Sequence, residues 1–418
     1  MRLMADTSAT KRGSPWKRRA LVAHRWLGIV VGLYFVVLGI TGSLLVFGRE
    51  IDGALNPGLL TMERQGPYKP LSTIVAAFRR AYPDAPMSYV NYPVPPDGVF
   101  NVRSGPNQAS QLYVYINPYT GEIIGDRTRI GSLYGFLCYL HFYLLFGQTG
   151  WTLNGYGALL VTMMLGLGVW LWWPARRAGA AVWKSRLRVR TDAGRSRLLF
   201  DLHNAAGIYS LVFMLIFTLS AVMFAFPEPA ERAIFALTGT PPDPVYRLTP
   251  PSDAERLPLD ELVARADAAV DGRILRVSFP KTPAAPLTVR KEWDDWNQTR
   301  NHAMVTVNPY TGAILELYDS RQHGSIGRLV QQWAYPLHFG LWGGLATRVL
   351  YVVLGLVPAV AFVTGFWRWR LRRAAQRRID QRLKTVMATA SPSVREALAR
   401  RRKTTVRRHL TRADAGEG

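Results

Sequence analysis

The chain has 418 residues, a formal net charge of +24 and a mean hydropathy of +0.02. A charge this high is typical of proteins that bind nucleic acid or an anionic membrane, and its position along the chain decides between the two. The single cysteine, Cys138, excludes an intramolecular disulfide and a cysteine-based metal cluster, and we interpret it as a packing residue.

Apolar segments of membrane-spanning length occur in both halves of the chain. Residues 26–48, 202–227 and 349–367 contain no Asp, Glu, Lys or Arg, and each is close to the ~20 residues that cross a bilayer. The uncharged run 130–175 is too long for one crossing, so we expect its glycine-rich centre, residues 146–157, to break the helix. The sequence therefore predicts four spans.

The basic residues lie beside these spans. Residues 1–25, 174–202 and 368–418 carry +6, +6 and +12, whereas the long segments 48–134 and 227–335 carry +1 and −2. Basic residues concentrate on the cytoplasmic side of membrane proteins. We therefore expect a multi-pass membrane protein with both termini and the short middle loop on the cytoplasmic side. We interpret the basic residues as signals that set the membrane topology and as contacts with the lipid bilayer. We expect no nucleic-acid partner.

We predict an integral membrane α-helical bundle of four spans in two tandem repeats, with two small α+β domains on the periplasmic side. The predicted parts are a basic cytoplasmic N-terminus (1–23), TM1 (24–47), periplasmic domain 1 (48–134), a periplasmic-side helix and loop (135–155), TM2 (156–173), a basic cytoplasmic loop (174–202), TM3 (203–226), periplasmic domain 2 (227–328), a second periplasmic-side helix and loop (329–347), TM4 (348–369) and a basic cytoplasmic tail (370–418).

Each long outside segment has the pattern of a helix followed by strands. Apolar residues have helical spacing over 71–83 and 258–272, and the segments that follow alternate as strands do. The motif NPYTG occurs in both segments, at 117–121 and 308–312, and predicts a turn between two strands. This composition indicates two α+β domains.

The two halves of the sequence repeat each other, and the repeat includes four of the seven histidines. Residues matched at an offset of 179 or 197 are His24 and His203, Gly28 and Gly207, Thr41 and Ser220, His141 and His338, and Gly168 and Gly365. A repeat of this size is typical of one pseudo-twofold unit built from two halves.

The four repeated histidines are candidate ligands, since an ionisable residue in a membrane span is costly and usually functional. A single histidine near a helix end can instead bond a carbonyl group. His24 and His203 belong to the cytoplasmic ends of spans, and His141 and His338 to the periplasmic side. A 23-residue helix separates the two levels by roughly 35 Å, whereas two nitrogen ligands of one metal lie about 4 Å apart. We therefore predict pairing within each level.

Two imidazoles facing each other suit a haem, because a zinc or copper site would usually add Cys, Asp or Glu, and these runs contain no acid. Arg25 and Arg348 are candidates to pair with haem propionates, the alternative being snorkelling or topogenic charges. Small residues beside the ligands would leave room for a porphyrin face or allow close helix packing: Gly28, Gly32, Ala205, Ala206 and Gly207.

Haems at the two levels predict transmembrane electron transfer. No flavin or nicotinamide motif occurs in the sequence, so the electron donor is expected to be another molecule, a quinol or a separate cytoplasmic or membrane reductase.

The order of these parts resembles the PepSY-associated transmembrane family over residues 16–375. The resemblance is carried by His24 with Arg25, Trp26 and Gly28, by the outside modules ending in NPYTG, and by the LHF motif before a span that ends in Trp. Members of this family are described as iron-regulated inner-membrane proteins, and some are similar to ferric-siderophore reductases. The resemblance implies two b-type haems with His24, His203, His141 and His338 as axial ligands, beneath two PepSY-like domains. It also implies reduction of a ferric siderophore on the periplasmic side for iron uptake.

Reduction would release the metal because siderophores hold Fe(III) with hard oxygen ligands that suit Fe(II) less well. An aromatic and basic cluster suits an anionic chelate, the alternative being an ordinary hairpin surface. The candidate contacts are Arg290, Lys291, Trp293, Trp296, Arg300 and His302. We expect no catalytic role for His323 or His409.

Three other functions remain open at this point. A non-enzymatic PepSY-type membrane regulator or chaperone of a periplasmic partner would not need four paired histidines. A transporter would need charges near the membrane midplane, and these spans have none. A haem protein could also pass electrons to copper or to a periplasmic redox protein.

Overall fold

The structure is a computed structural model that describes residues 15–94, 97–106, 108–174, 179–241, 248, 255–293, 302–322 and 324–389. In chain order, the helices are α1 (Pro15–Leu45), α2 (Gly48–Leu55), α3 (Pro57–Leu60), α4 (Leu71–Ala81), α5 (Leu133–Tyr143), α6 (Gly147–Trp172), α7 (Ala180–Leu187), α8 (Arg195–Tyr209), α9 (Leu211–Ala225), α10 (Pro227–Thr238), α11 (Leu259–Ala268), α12 (Ile326–Phe339) and α13 (Gly344–Thr389). The strands are β1 (Met87–Asn91), β2 (Phe100–Ser104), β3 (Leu112–Ile116), β4 (Ile123–Thr128), β5 (Arg273–Ser278), β6 (Leu287–Glu292), β7 (His302–Val307) and β8 (Ile314–Asp319).

The long helices form a membrane bundle. Among the described residues, α1, α6 and α13 are long and apolar enough to cross a membrane, and α8 with α9 makes a fourth candidate if this bent pair is one span. Helix α1 packs against α6 and α13, α6 packs against α9, and α13 packs against α8. The chain is therefore a multi-pass membrane protein, in which α1 lies diagonally opposite the α8–α9 pair.

The predicted break within 146–157 occurs earlier in the chain. Helix α5 ends where Leu144 and Leu145 adopt left-handed backbone angles, with φ of 48° and 66°, and α6 then runs without interruption from Gly147. Its glycines serve packing instead: a Cβ at Gly155 would lie 2.6 Å from the Phe226 ring, and one at Gly157 would lie 2.5 Å from the Tyr34 ring. The predicted start of this span at 156 is therefore wrong.

The span predicted at 203–226 consists of two helices, because α8 and α9 meet at Ser210 with a bend of 58°. The Ser210 hydroxyl donates a hydrogen bond of 2.6 Å to the Ala206 carbonyl, a contact that bends helices. Helices α1 and α13 extend beyond the predicted 24–47 and 348–369 on the basic side, since their charged ends continue the helical turns.

The strands of both outside segments form one antiparallel sheet of eight strands, in the order β4-β3-β2-β1-β5-β6-β7-β8. The two halves join where β1 pairs with β5, with Val90 opposite Val277. An unpaired edge strand exposes a row of N–H and C=O groups, and this pairing satisfies two such edges at once. The two expected domains thus share one sheet.

The sheet has one apolar and one polar face. Helices α4 and α11 cover the apolar face, where the core residues Ile74, Phe78, Val90, Val277 and Val289 are fully buried. The polar face is directed towards the membrane bundle. Arg127 at the end of β4 donates to Asp52 of α2 at 2.5 and 3.0 Å, and Gln332 of α12 donates to the Tyr318 hydroxyl of β8.

Candidate functional site

His24 of α1 and His203 of α8 face each other across the end of the bundle next to the basic segments; we call them the basic-side pair. Their ring centres are 6.2 Å apart and the ring planes are 78° to each other. The Nδ1 atom of His24 lies 3.2 Å from the Met164 carbonyl oxygen, and that of His203 lies 2.8 Å from the Ala361 carbonyl oxygen. A carbonyl group only accepts hydrogen bonds, so Nδ1 carries the hydrogen in both rings and Nε2 keeps a free lone pair.

Glycines allow this close approach of the rings to the helices. A Cβ at Gly168 would lie 3.3 Å from Cε1 of His24, and one at Gly365 would lie 3.1 Å from Cε1 of His203. The two glycines are 197 residues apart in the chain, as are the two carbonyl acceptors. The same local arrangement therefore holds both histidines against α6 and α13.

His141 of α5 and His338 of α12 lie at the sheet end of the bundle; we call them the sheet-side pair. The Nδ1 atom of His141 lies 2.8 Å from the Thr41 hydroxyl oxygen, and that of His338 lies 2.7 Å from the Ser220 hydroxyl oxygen. Both hydroxyls donate to the carbonyl group four residues earlier in their own helix. Each hydroxyl oxygen thus accepts from Nδ1–H, and Nε2 again keeps a free lone pair.

The short helices that carry the sheet-side pair both begin with a serine cap. Helix α5 begins where the Ser132 side chain accepts from the Gly135 amide, and α12 begins where Ser325 accepts from the Arg328 amide. Near the other end of α5, Asn154 of α6 donates to the His141 carbonyl oxygen at 2.8 Å. The Asn154 contact fixes α5 on α6, and the bond between His338 and Ser220 joins α12 to α9.

A cavity of about 630 Å³ lies within the bundle beside the sheet-side pair, which is within the 300–1,000 Å³ range typical of cofactor sites. Both His141 and His338 line it. The rest of the lining is mainly apolar or aromatic and includes Leu38, Ala158, Phe217, Ala221, Phe224 and Pro358. A large planar apolar cofactor therefore fits the shape and chemistry of this space.

The metal-ligating side chains at the two levels suit haem. Within the described part of the chain, no group of three or more His, Cys, Asp or Glu side chains is arranged to hold a metal ion. A structural zinc site needs four protein ligands, whereas a haem brings four equatorial nitrogens and needs only axial ligands from the protein. Two metal–nitrogen bonds of about 2 Å plus the two ring half-widths span roughly 6 Å, close to the separation of the basic-side rings.

The glycines named in the sequence analysis differ in role. A Cβ at Gly28 or Gly207, each four residues after a basic-side histidine, would meet nothing within 4 Å, so space is open beside both ligands. A Cβ at Gly32 would lie 3.1 Å from the Phe362 ring, so this glycine serves the packing of α1 on α13.

The two candidate propionate partners differ in the contacts that they already make. Arg25 is half-buried next to His24 and forms no hydrogen bond or ion pair with the described residues. Arg348 donates to the Val46 carbonyl oxygen at 2.7 Å and to Glu50, although its Nε has no partner among the described residues. Arg25 is therefore free to pair with an anion, whereas Arg348 already ties α13 to the sheet-side end of α1.

The polar face of the sheet carries arginine and tyrosine side chains. One row across the strands runs through Tyr115, Asn101, Asn91, Arg276, Arg290, Met304 and Tyr318. Arg276 lies over the Tyr89 ring at 4.2 Å and donates to Asn91 at 2.8 Å. The Nε of Arg290 has no hydrogen-bond partner within the described ranges. Burial lowers the pKa of both arginines, and their proximity lowers the pKa of Arg276 further.

One cavity-lining residue interacts with this row. Tyr335 of α12 lines the cavity and also interacts electrostatically with Arg290. Glu292, which shares the face, forms an ion pair with Arg273, and burial nevertheless raises the pKa of its carboxyl group. Partly buried arginines with few acidic partners can hold an anion on this face of the sheet.

The predicted substrate contacts lie in different parts of the structure. Arg290 lies on the polar face, and His302 is paired with Glu292 across the strands, with its ring 5.5 Å from Tyr318. Trp293 stacks on Arg321 at 3.9 Å. Lys291 points to the opposite face, where its buried ammonium donates to the Asp267 and Val270 carbonyl groups, so its assignment as a substrate contact is wrong. Trp296, Arg300, His323 and His409 lie outside the described residues.

Thr41, Ser220 and Arg276 belong to this site, although their sequence positions alone do not identify them. The signal for the first two is that they match at the repeat offset and both carry a hydroxyl group. The position of Arg276 depends on strand register, because a bulge between Ile274 and Arg276 directs its side chain to the polar face.

Comparisons with known proteins identify the family of this chain. The chain is 29% identical to the uncharacterized protein PA4219 of Pseudomonas aeruginosa over 228 residues, which is 48% of this chain and 57% of that relative's length. A crystal structure of the Clostridium difficile 630 protein CD1622 aligns with 62% of this chain and 97% of its own, at 10% identity and a TM-score of 0.23. The model of the PepSY-associated TM region family matches residues 21–372, and the chain therefore belongs to this family.

Proposed function

We propose that this protein is a di-haem electron-transfer protein of the bacterial inner membrane that reduces a ferric siderophore on the periplasmic side and releases Fe(II) for iron uptake. Its bundle acts as four spans in two tandem repeats, with α8 and α9 as one bent span. The observation that carries the proposal is the pairing of four histidines, each with a free Nε2, at two levels of the bundle.

Each histidine pair would hold one b-type haem through its Nε2 atoms. A bound haem supplies a one-electron Fe(III)/Fe(II) couple. The residues of the chain do the rest: the Nδ1 hydrogen bonds fix the tautomer and the orientation of each ring, and the apolar lining keeps water away from the sheet-side level. Arg25 would pair with a propionate at the basic-side level.

The distribution of charge supports electron transfer from the cytoplasmic side to the periplasmic side. The basic segments at 1–25, 174–202 and 368–418 favour a cytoplasmic position for the basic-side pair and a periplasmic position for the sheet. Electrons would enter from a quinol or a separate reductase and leave at the sheet.

The polar face of the sheet supports an anionic acceptor. Arg276 and Arg290 lie opposite each other on adjacent strands of this face, and Arg290 interacts electrostatically with Tyr335, which lines the cavity beside the sheet-side pair. One electron from the donor converts the bound Fe(III) to Fe(II), and the donor is oxidised by one electron. The hard oxygen ligands of the chelate hold Fe(II) less tightly, so the metal is released.

The test is a dithionite-reduced minus oxidised absorbance spectrum of the detergent-purified protein, with haem quantified as the pyridine haemochrome. We expect two b-type haems per chain, with a different one lost in His24→Ala and in His141→Ala. Protein produced with ample haem that binds none would contradict the proposal and would favour a non-enzymatic regulator or chaperone of a periplasmic partner. Loaded protein is then mixed with a ferric chelate and a ferrous-specific dye to follow reduction.

A further inference from the structure

The cavity beside the sheet-side pair carries a positive charge where the chain passes from the sheet to the bundle. Arg129, which directly follows β4, and Tyr134, in the first turn of α5, both line it. Among the described residues that line the cavity, Arg129 is the only arginine or lysine, and none is aspartate or glutamate. The rest of the lining is mainly apolar or aromatic. The cavity therefore suits a ligand that is apolar over most of its surface and anionic at one edge.

The side chain of Arg129 is oriented by neutral groups. Its backbone N–H donates to the Gln111 carbonyl oxygen at 2.8 Å, and its Nη2 donates to Oε1 of the Gln111 side chain at 2.5 Å. Its guanidinium lies 5.4 Å from the centre of the Tyr143 ring. Arg129 is only 7% exposed. An anion in the cavity would thus add a charge-assisted hydrogen bond to a guanidinium that is already held in position.

The same short segment carries Arg129 and one of the histidines. A Cβ at Gly135 would overlap the Arg129 carbonyl oxygen, so the first turn of α5 packs directly on the backbone of Arg129. His141 follows six residues later on α5, roughly 9 Å along the helix axis, and it also lines the cavity. The position of the guanidinium relative to the imidazole is therefore fixed by one helix and its start.

Arg348, which the sequence indicates as a propionate partner, is placed differently. It donates to the Val46 carbonyl oxygen and to Glu50, whose carboxylate already compensates its charge. It is not among the described residues that line the cavity. Arg129 is thus the better placed of the two arginines, although no repeat or motif in the sequence distinguishes it.

We propose that Arg129 binds a propionate group of the haem at the sheet-side pair. This inference rests on the proposed function, because it requires a haem at that level. The propionates are the only anionic groups of a haem, and a guanidinium can donate to both oxygens of a carboxylate. Arg129 would then fix the rotation of the haem about the axis through its two axial ligands.

The first experiment compares haem with haem dimethyl ester, whose propionates carry no charge. The full-length double variant His24→Ala and His203→Ala retains the sheet-side pair, and each compound is titrated into this protein, produced with little haem, while absorbance is recorded. Adding Arg129→Gln should weaken the binding of haem at least about tenfold, since a charge-assisted hydrogen bond is lost. The affinity for the ester should change little. Arg129→Lys keeps the charge and should restore part of the affinity for haem.

Arg348→Gln provides the direct comparison, and it should affect haem and its ester equally. A loss of affinity with Arg129→Gln that is the same for haem and ester would show that Arg129 only supports the fold, and would overturn the inference. A loss specific to haem in Arg348→Gln, and not in Arg129→Gln, would overturn it as well. Wild-type protein that binds neither compound would instead defeat the proposed function, so the two failures are distinguishable.

The second experiment uses protein that acquires its haem during production, and so does not require a stable haem-free variant. A cation beside a haem favours the reduced iron, which carries one positive charge fewer. In spectroelectrochemical titration, Arg129→Gln should therefore lower the midpoint potential of the sheet-side level, while the basic-side potential stays constant. A sheet-side potential equal to that of wild type would contradict a direct contact between Arg129 and the haem.

Discussion

At the scale of single residues, the polar face of the sheet raises the question of what balances its charge. Arg276 and Arg290 are opposite each other on adjacent strands, both are half-buried, and neither forms an ion pair within the described ranges. Two neighbouring cations with reduced access to water repel each other, and each loses hydration. An anionic ligand would relieve both costs, which is why we place the acceptor there.

Arg290→Gln tests this placement. The variant removes one charge-assisted hydrogen bond, worth about 1.5–3 kcal/mol, so the KM for an anionic ferric chelate should rise at least about tenfold. The kcat should change little because the histidines are untouched. Initial rates of ferrous-dye formation at increasing chelate concentration measure both constants.

Two comparisons make that result specific. A neutral ferric chelate should show a much smaller change in KM with Arg290→Gln. Arg79→Gln removes the same charge from the exposed surface of α4, on the opposite face of the sheet, and should leave KM unchanged. An equal effect of Arg290→Gln on neutral and anionic chelates would show that the charge does not bind the acceptor.

The four histidines and their pairing could be inferred from the sequence because the repeat fixes which residues are equivalent and the span length excludes pairing between levels. The neighbours that orient them could not. Thr41 contacts His141 across 100 residues of sequence, and that contact depends on how α5 folds back onto α1. The polar face depends on strand register, and a bulge in β5 moves Arg276 to the other side of the sheet.

At the scale of elements, helix boundaries show which signals a sequence carries. Glycine was expected to break the helix within the uncharged run 130–175. The chain instead turns between α5 and α6 at Leu144 and Leu145, which adopt left-handed conformations that non-glycine residues rarely adopt. In a membrane bundle, glycine more often permits close helix contact. The glycines of α6, and also Gly39 of α1, are examples of that second use.

Gly39→Ala should destabilise the contact between α1 and α13. A Cβ at this position would overlap the Gly355 carbonyl oxygen and lie 3.1 Å from Cγ of Pro358, so the two helices would have to separate. Overpacking of this kind costs about 1–3 kcal/mol. Thermal unfolding of the detergent-purified protein, followed by circular dichroism, should show a clear loss of Tm.

Gly28→Ala is the matched control on the same helix. A Cβ there meets nothing within 4 Å, and alanine is the better helix former by about 1 kcal/mol. In haem-free protein, in which the space beside His24 is open, its Tm should be equal to that of wild type or slightly higher. If both variants lost stability equally, helix flexibility rather than close packing would be the property that glycine provides in α1.

At the scale of the whole molecule, the proposed function requires the sheet and the bundle to keep a fixed relation, since an acceptor bound on the polar face could receive electrons only near the sheet-side pair. The joint between β1 and β5 makes the sheet one body, so movement of either half would carry the other. The guanidinium of Arg127 then holds this body to α2 through both oxygens of Asp52, and both side chains are nearly buried, 11% and 6% exposed.

Asp52→Asn should loosen the sheet from the bundle without disturbing the histidines. Removing one partner of a buried ion pair costs about 3 kcal/mol, because the remaining charge stays buried and unpaired. We expect faster hydrogen exchange in α2 and β4 and slower reduction of a ferric chelate, while haem content and both midpoint potentials match wild type. The control is Glu228→Gln, which breaks an ion pair with Arg232 whose side chains are more than 80% exposed, and such pairs contribute little. A reduction rate in Asp52→Asn equal to that of the control would mean that electron transfer does not need the sheet to be held in place. The acceptor would then have to reach the sheet-side pair by another route.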